Sequence, residues 1–265
     1  MEIVVLVKPV PDAESRLRPN AGGTELDGEG IKWVLSGYDE SAVEQALLLK
    51  AAVPGSSVRC ISFGPAPRTE EVLRASVALG CDRATWVERP VGMPADPLLC
   101  ARVLREALRK YPHDLILAGK QAGDDEEGIV PSALAELLGV ESFGSVVDLR
   151  WHAEEKRFRF QCVLDSGSEK VEAAGPLLIG LQQAWNDPRT ATLPNILRSR
   201  KATIDRLPWS DVAPLLGAFS AGRTTSQRFR LPPPRTGARL IDYQSPEEAA
   251  EKLVKILREE AKVFP

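Results

Sequence analysis

The chain has 265 residues, and 34 Lys and Arg stand against 37 Asp and Glu for a formal net charge of −3. With 43% hydrophobic and 27% charged residues it can bury a sizeable core and is not disordered as a whole. The near-neutral balance argues against a nucleic-acid protein, and apolar runs such as Leu177–Leu181 fall far short of the roughly 20 residues of a membrane span.

Residues 2–7 open the chain, apolar and β-branched-rich after Glu2, and read as a strand buried on both faces. The run is too short for a signal peptide and lacks a small-residue cleavage site, so a cytoplasmic protein is expected. Similar strand runs follow at Ser57–Ser62, Ala84–Val87 and Asp114–Ala118. Helical patterns lie between them: Ser41–Val53, with Ser41 and Glu44 spaced as a capping box; Thr69–Leu79, ending at Gly80; and Asp96–Lys110. Strands alternating with helices of this length predict an α/β fold, a doubly wound and mostly parallel sheet.

A helix is expected from about Ile129 to Leu138, then short β runs near Gly144–Leu149, Arg157–Leu164 and Glu169–Ala173, with Leu177–Leu181 as a last strand. After Gln183 the periodicity fades, and nine of the 21 prolines fall in the last 80 residues. These features predict a domain over 1–183, a loop over 184–206 and an extended C-terminal arm over 207–265. The arm closes with a terminal helix, opened by Ser245-Pro246-Glu247-Glu248 and striped with Ala250, Leu253, Val254, Leu257 and Ala261. Such a helix docks on its own body or on a partner chain, and periodicity does not choose between them.

Four cysteines without a C-x-x-C pair and only two histidines, His113 and His152, exclude a His-rich zinc site and a disulfide framework. A His-based catalytic triad is not supported either. Open parallel sheets bind ligands beyond the carboxyl ends of their strands, where strand order reverses. The segment Gly119-Lys120-Gln121-Ala122-Gly123-Asp124-Asp125-Glu126-Glu127-Gly128, leaving the fourth strand, is therefore the one to read. Its glycine spacing fits neither the G-x-G-x-x-G fingerprint nor a P-loop. Its amides still open a helix and suit a nucleotide phosphate, although four consecutive acids, if unpaired, repel one.

Residues 186–201, Asn-Asp-Pro-Arg-Thr-Ala-Thr-Leu-Pro-Asn-Ile-Leu-Arg-Ser-Arg-Lys, resemble the recognition loop of the electron-transfer flavoprotein beta subunit. Val7–Asp12, Glu40–Leu49, Ser62–Pro65, Leu73–Asp82 and Gly119–Asp125 extend the resemblance, and Pro233–Gly237 adds a weaker piece. The resemblance implies an adenine-nucleotide-hydrolase-like lobe in a heterodimer whose alpha subunit holds most of one FAD and is wrapped by the beta subunit's C-terminus. It implies electrons entering from flavin dehydrogenases, such as acyl-CoA dehydrogenases, and leaving to a quinone oxidoreductase. The chain would be an electron carrier with no substrate chemistry of its own. A free-standing ATP- or AMP-binding enzyme or stress-type protein on the same lobe is the alternative, because fold alone does not separate them.

Carried onto this chain, the resemblance implies an AMP pocket at Leu6, Ser36, Gly37, Tyr38, Asp39, Phe63 and the loop through Gly128, Ile129 and Val130. The family's phosphate-holding ending, of the Asn-Gln-Thr type, is replaced by Gly128-Ile129-Val130, so weak AMP binding or none is expected. The D-G-D-T-A-Q-V pattern of bifurcating relatives is absent, Ala13 stands where some members place a tyrosine against the flavin, and Cys162 where a basic residue is usual. For partner docking the residues are Leu193, stiffened by Pro194, and a basic cluster of Arg198, Arg200, Lys201 and Arg206 that would steer an acidic dehydrogenase surface.

Overall fold

In the computed structural model, which describes residues 1–183, 185–220, 222–224, 228–234 and 237–264, the opening run becomes β1 (Glu2–Leu6). Ile3, Val5 and Val7 enter the core on one side of the sheet and Val4 and Leu6 the core on the other, which is why the run is apolar without alternation. Pro9 begins β2 (Pro9–Pro11), which pairs antiparallel with β3 (Trp33–Leu35) in a separate two-stranded sheet that sequence patterning does not reveal. Then come α1 (Gly37–Ala52), β4 (Ser57–Gly64), α2 (Arg68–Leu79), β5 (Arg83–Glu88), α3 (Pro97–Leu108), β6 (Leu115–Gly119) and α4 (Ile129–Leu138).

The helix predicted from Ser41 begins at Gly37 instead, with Ser36 at its N-cap. Asp39 and Glu40 in the first turn suit the positive end of the helix dipole, and Glu44 turns away from Ser41 toward Arg189. The capping box is thus not used. Asp96 does cap α3 as expected, accepting from the Leu99 amide at 2.7 Å. Gly80 closes α2 at φ 134°, a conformation that side chains resist.

Next are β7 (Glu141–His152), β8 (Arg157–Leu164), β9 (Gly167–Ala173) and β10 (Leu177–Leu181). The sequence beyond Gln183 is more ordered than expected, forming α5 (Leu193–Lys201), β11 (Asp205–Leu207) and α6 (Trp209–Leu216). A three-residue strand and an eight-residue helix interrupted by Pro214 are too short to leave a period in the sequence. The sheet order is β11-β5-β4-β1-β6-β10-β7-β8-β9, parallel from β11 to β7 and antiparallel over β8 and β9. Strand order reverses at β1, with β4 on one side and β6 on the other, so the switch point lies between β1 and β6. One face packs α1 and α2 through residues such as Ala46, Leu47, Leu73 and Val77. The other packs α3, α4 and α6 through Leu99, Leu104, Leu134, Val212 and Leu216.

Met1–Phe229 forms one compact unit, so the arm expected from residue 207 is corrected: β11 and α6 are built into this body. Arg59 secures β11, donating to Asp205 Oδ2 at 2.6 Å and Thr85 Oγ1 at 2.8 Å. Arg230–Pro265 forms a second unit, whose regular element is α7 (Pro246–Glu259). Ser245 caps it as predicted, accepting from the Glu248 amide at 3.2 Å, while Glu248 Oε2 accepts from Gln244 N at 2.8 Å. Arg235 and Thr236 of the weaker resemblance lie outside the described residues.

Candidate functional site

The side chain of Asp39 joins the ends of β1 and β6. Asp39, in the first turn of α1, accepts from the Lys8 amide at 2.8 Å through Oδ2 and from the Gly119 amide at 3.0 Å through Oδ1. It is 7% exposed, and burial pushes its carboxyl up to about 7 against the pull of those two amides. Its carboxyl group straps the switch point. Gly119 allows the closeness: a Cβ there would lie 2.5 Å from Tyr38 Cβ and 2.7 Å from Asp39 Oδ1. Tyr38 Oη accepts from Gln121 Nε2 at 3.1 Å, and Lys120 N donates to Leu181 O at 3.0 Å, so Gly119–Gln121 is bound to α1 and β10.

Lys8 was not among the expected site residues, yet its ammonium bridges Asp124 Oδ1 at 2.7 Å and Asp125 Oδ2 at 2.5 Å. These two acids are therefore not unpaired, although one ammonium against two carboxylates still leaves the group net negative. Burial alone would lower the Lys8 pKa, but the charges and bonds of Asp124 and Asp125 raise it. Arg68 and Arg89, just beyond β4 and β5, have their pKa values lowered, chiefly by burial. Arg68 stacks its guanidinium 4.0 Å over Trp33, and Arg89 keeps a buried Nε without a partner. Lys8, Arg68 and Arg89 all follow the carboxyl ends of parallel strands, and that position is the signal by which the sequence could have disclosed them.

The remaining expected residues are distributed as follows. Ser36 is fully buried, and its Oγ has no partner. A Cβ at Gly37 would meet Gln183 Nε2 at 2.5 Å, the far end of a flexible side chain. Leu6 is buried in the core beneath α3 and α4, and the Phe63 ring stacks on Trp209 of α6 at 6.2 Å. Ala122 O accepts from Glu126 N at 3.0 Å, and Gly123 has open space around its Cα. Gly128 takes φ 63° at the N-cap of α4 and sets no side chain over the first amides. Ile129 is 42% exposed, Val130 follows, and Pro131 offers no N–H at all. Ser36 lies at this edge, and its buried hydroxyl has no partner among the described residues. The α4 end does not suit a phosphate, because Gly128-Ile129-Val130-Pro131 has neither side-chain donors nor a full set of amides.

In the segment expected to dock a partner, Leu193 is 68% exposed and opens α5 behind the N-cap Thr192, with Pro194 in the first turn. The expected loop is therefore a short helix, a form that proline in its first turn favours. Arg198, Arg200 and Lys201 are exposed on its last turn, where cations complement the dipole. Arg206 is corrected out of the free cluster: it pairs with Glu70 at 3.1 Å and lies 4.8 Å over the Trp86 ring.

The sheet order and the strapped strand ends define an open doubly wound α/β protein, a class whose ligands bind beyond the carboxyl ends of the strands at a switch point, which here lies between β1 and β6. A family model described as "Electron transfer flavoprotein domain" matches residues 25–212. The chain is 31% identical over 266 residues to the electron transfer flavoprotein subunit beta of Bacillus subtilis (strain 168), covering 100% of both chains. It is 31% identical to the human subunit beta, over 97% of this chain and 98% of the human one. It is also 30% identical to the caffeyl-CoA reductase-Etf complex subunit CarD of Acetobacterium woodii, over 98% of each. The chain belongs to the electron transfer flavoprotein family, among its small, beta-type subunits. No helix among the described residues is long and apolar enough to cross a membrane.

Proposed function

We propose that this chain is an electron-carrier subunit that works only in a heterodimer with an alpha-type subunit, which holds most of a shared FAD. When bound, the flavin stores the electrons that pass between donor and acceptor. Flavin dehydrogenases of the acyl-CoA type are the donors and a quinone oxidoreductase the acceptor. The chain contributes the α/β lobe, a docking helix for the donor and a C-terminal segment, 230–265, for the alpha subunit. Its own nucleotide site takes at most one AMP, through the backbone of Gly119–Gly123 and the Ser36–Asp39 turn, with the phosphate poorly held.

Leu193 carries this reading. An apolar side chain 68% exposed at the tip of a helix is a small anchor for a pocket on another protein, and the exposed Arg198, Arg200 and Lys201 beside it favour an acidic rim. Truncating such an anchor costs on the order of 1–2 kcal/mol, about tenfold in affinity. Leu193→Ala is expected to lower kcat/KM for electron acceptance from an acyl-CoA dehydrogenase about tenfold, with flavin content unchanged. Equal rates for variant and wild type would refute the docking role.

A further inference from the structure

The docking helix has little reason to hold its place. Of its nine residues only Ser199 is buried, and a helix this short is not stable in water by itself. Two polar anchors nevertheless fix the segment at either end. At its start Glu44, buried on α1, receives Arg189 three times: Nε to Oε2 at 2.7 Å, NH2 to Oε1 at 2.9 Å and the Arg189 amide to Oε2 at 3.1 Å. Burial alone would raise the Glu44 carboxyl, but the bonds and charge of Arg189 bring it below the usual value. Asn186 adds a bond from Nδ2 to Ser41 O at 3.2 Å.

At its end, Arg74 on α2 directs one guanidinium nitrogen at the last turn, donating to Ser199 O at 2.7 Å, Arg200 O at 3.1 Å and Ala202 O at 3.2 Å. These are carbonyls of the last turn and its C-cap, of which Ser199 O also accepts from the Ala202 amide at 3.2 Å, and a cation there complements the dipole. Glu70 orients the same guanidinium, accepting from Nε at 3.1 Å and NH2 at 2.7 Å, and accepts Arg206 besides.

We propose that Glu44 and Arg74 are positioning residues that hold α5 folded and seated before any partner arrives, so that Leu193 is presented by a preorganised helix. This rests on the docking reading above. Preorganisation removes an ordering cost from association, so loosening either end weakens encounter productivity without touching the flavin or the anchor side chain. It also explains why a cationic segment with one buried residue keeps a helix: its last turn is bound to α2, and the stretch of chain leading into it is bound to α1.

The test uses the flavin-loaded heterodimer with Arg74→Gln, Glu44→Gln, Arg74→Lys and Leu193→Ala. Hydrogen exchange of the 195–202 amides should quicken about tenfold in Arg74→Gln and Glu44→Gln, as expected for losing charge-assisted bonds, while β1, β4 and β6 keep wild-type protection. Arg74→Lys, with a flexible ammonium in place of the fork, should fall between. With a medium-chain acyl-CoA dehydrogenase reduced by octanoyl-CoA, the first two variants should raise KM and leave kcat unchanged. Unchanged exchange in both would overturn the proposal, as would faster exchange with unaltered KM when Leu193→Ala does raise it. An unaffected Leu193→Ala would refute the docking reading, and the exchange data would then decide alone whether the anchors hold the helix.

Discussion

Replacing Asp39 by Asn probes the strap at the switch point and carries a sign that depends on pH. The carboxyl faces two buried backbone donors, Lys8 N at 2.8 Å and Gly119 N at 3.0 Å. An amide offers one acceptor oxygen, whereas even a protonated carboxyl keeps two oxygens that accept, so in the variant one N–H is left opposite an NH2 group, which costs about 1–3 kcal/mol. That corresponds to roughly 3–9 °C in Tm for a chain of this size. Against this stands the cost of burying a charge. Asp39 titrates near 7 in the fold, against an ordinary value of 3.8 when unfolded, so between these pH values the native state holds a proton that the unfolded chain has released. The native state is then favoured at the acid end, and this contribution is lost as pH rises toward 7. The Asp39→Asn variant has no such slope, because its amide does not titrate. Lys8 and Asp124, the charges acting on this carboxyl, remain in both forms. The variant is expected to melt below wild type at pH 5, with the gap shrinking or vanishing by pH 8, as followed by circular dichroism. A deficit that stays constant with pH, or widens as pH rises, would refute the buried-carboxyl reasoning.

Nucleotide released by denaturing the purified heterodimer should contain AMP well below one equivalent, because Gly128-Ile129-Val130-Pro131 gives a phosphate so few donors; mass analysis showing stoichiometric AMP would contradict this. Arg198→Glu with Lys201→Glu should slow second-order electron transfer from the dehydrogenase at low salt, with the deficit closing as salt screens charges over roughly 8–10 Å. A loss independent of salt would instead mean a packing defect in α5. Arg189→Ala should raise the Glu44 pKa, since burial is then unopposed, and should loosen the 186–192 segment to proteolysis; equal cleavage rates would count against that anchor.

Much of the fold was legible because burial on both faces writes itself into composition. β1, β6 and β10 are continuous apolar runs, and α4 and β10 fall on the residues expected of them. What failed to show were elements too short to have a period, such as β2, β3, β11 and α6, and contacts that span the chain. Lys8 with Asp124 lies 116 residues apart in sequence, and no local pattern announces the pairing. The Ser41–Glu44 spacing was a local signal that tertiary structure overrode, since Glu44 gains three bonds from Arg189 that a capping role would forgo. The residues expected to dock came from family likeness, whereas Glu44 and Arg74, the proposed anchors, sit inside helix patterns where a charged residue looks like ordinary surface.

Co-expression with and without an alpha-type subunit, followed by purification and flavin analysis, tests the central claim most directly. The account predicts a colourless chain alone and a yellow heterodimer with one FAD that a dehydrogenase reduces. A soluble monomer that hydrolyses ATP by itself, or a heterodimer without flavin, would contradict it.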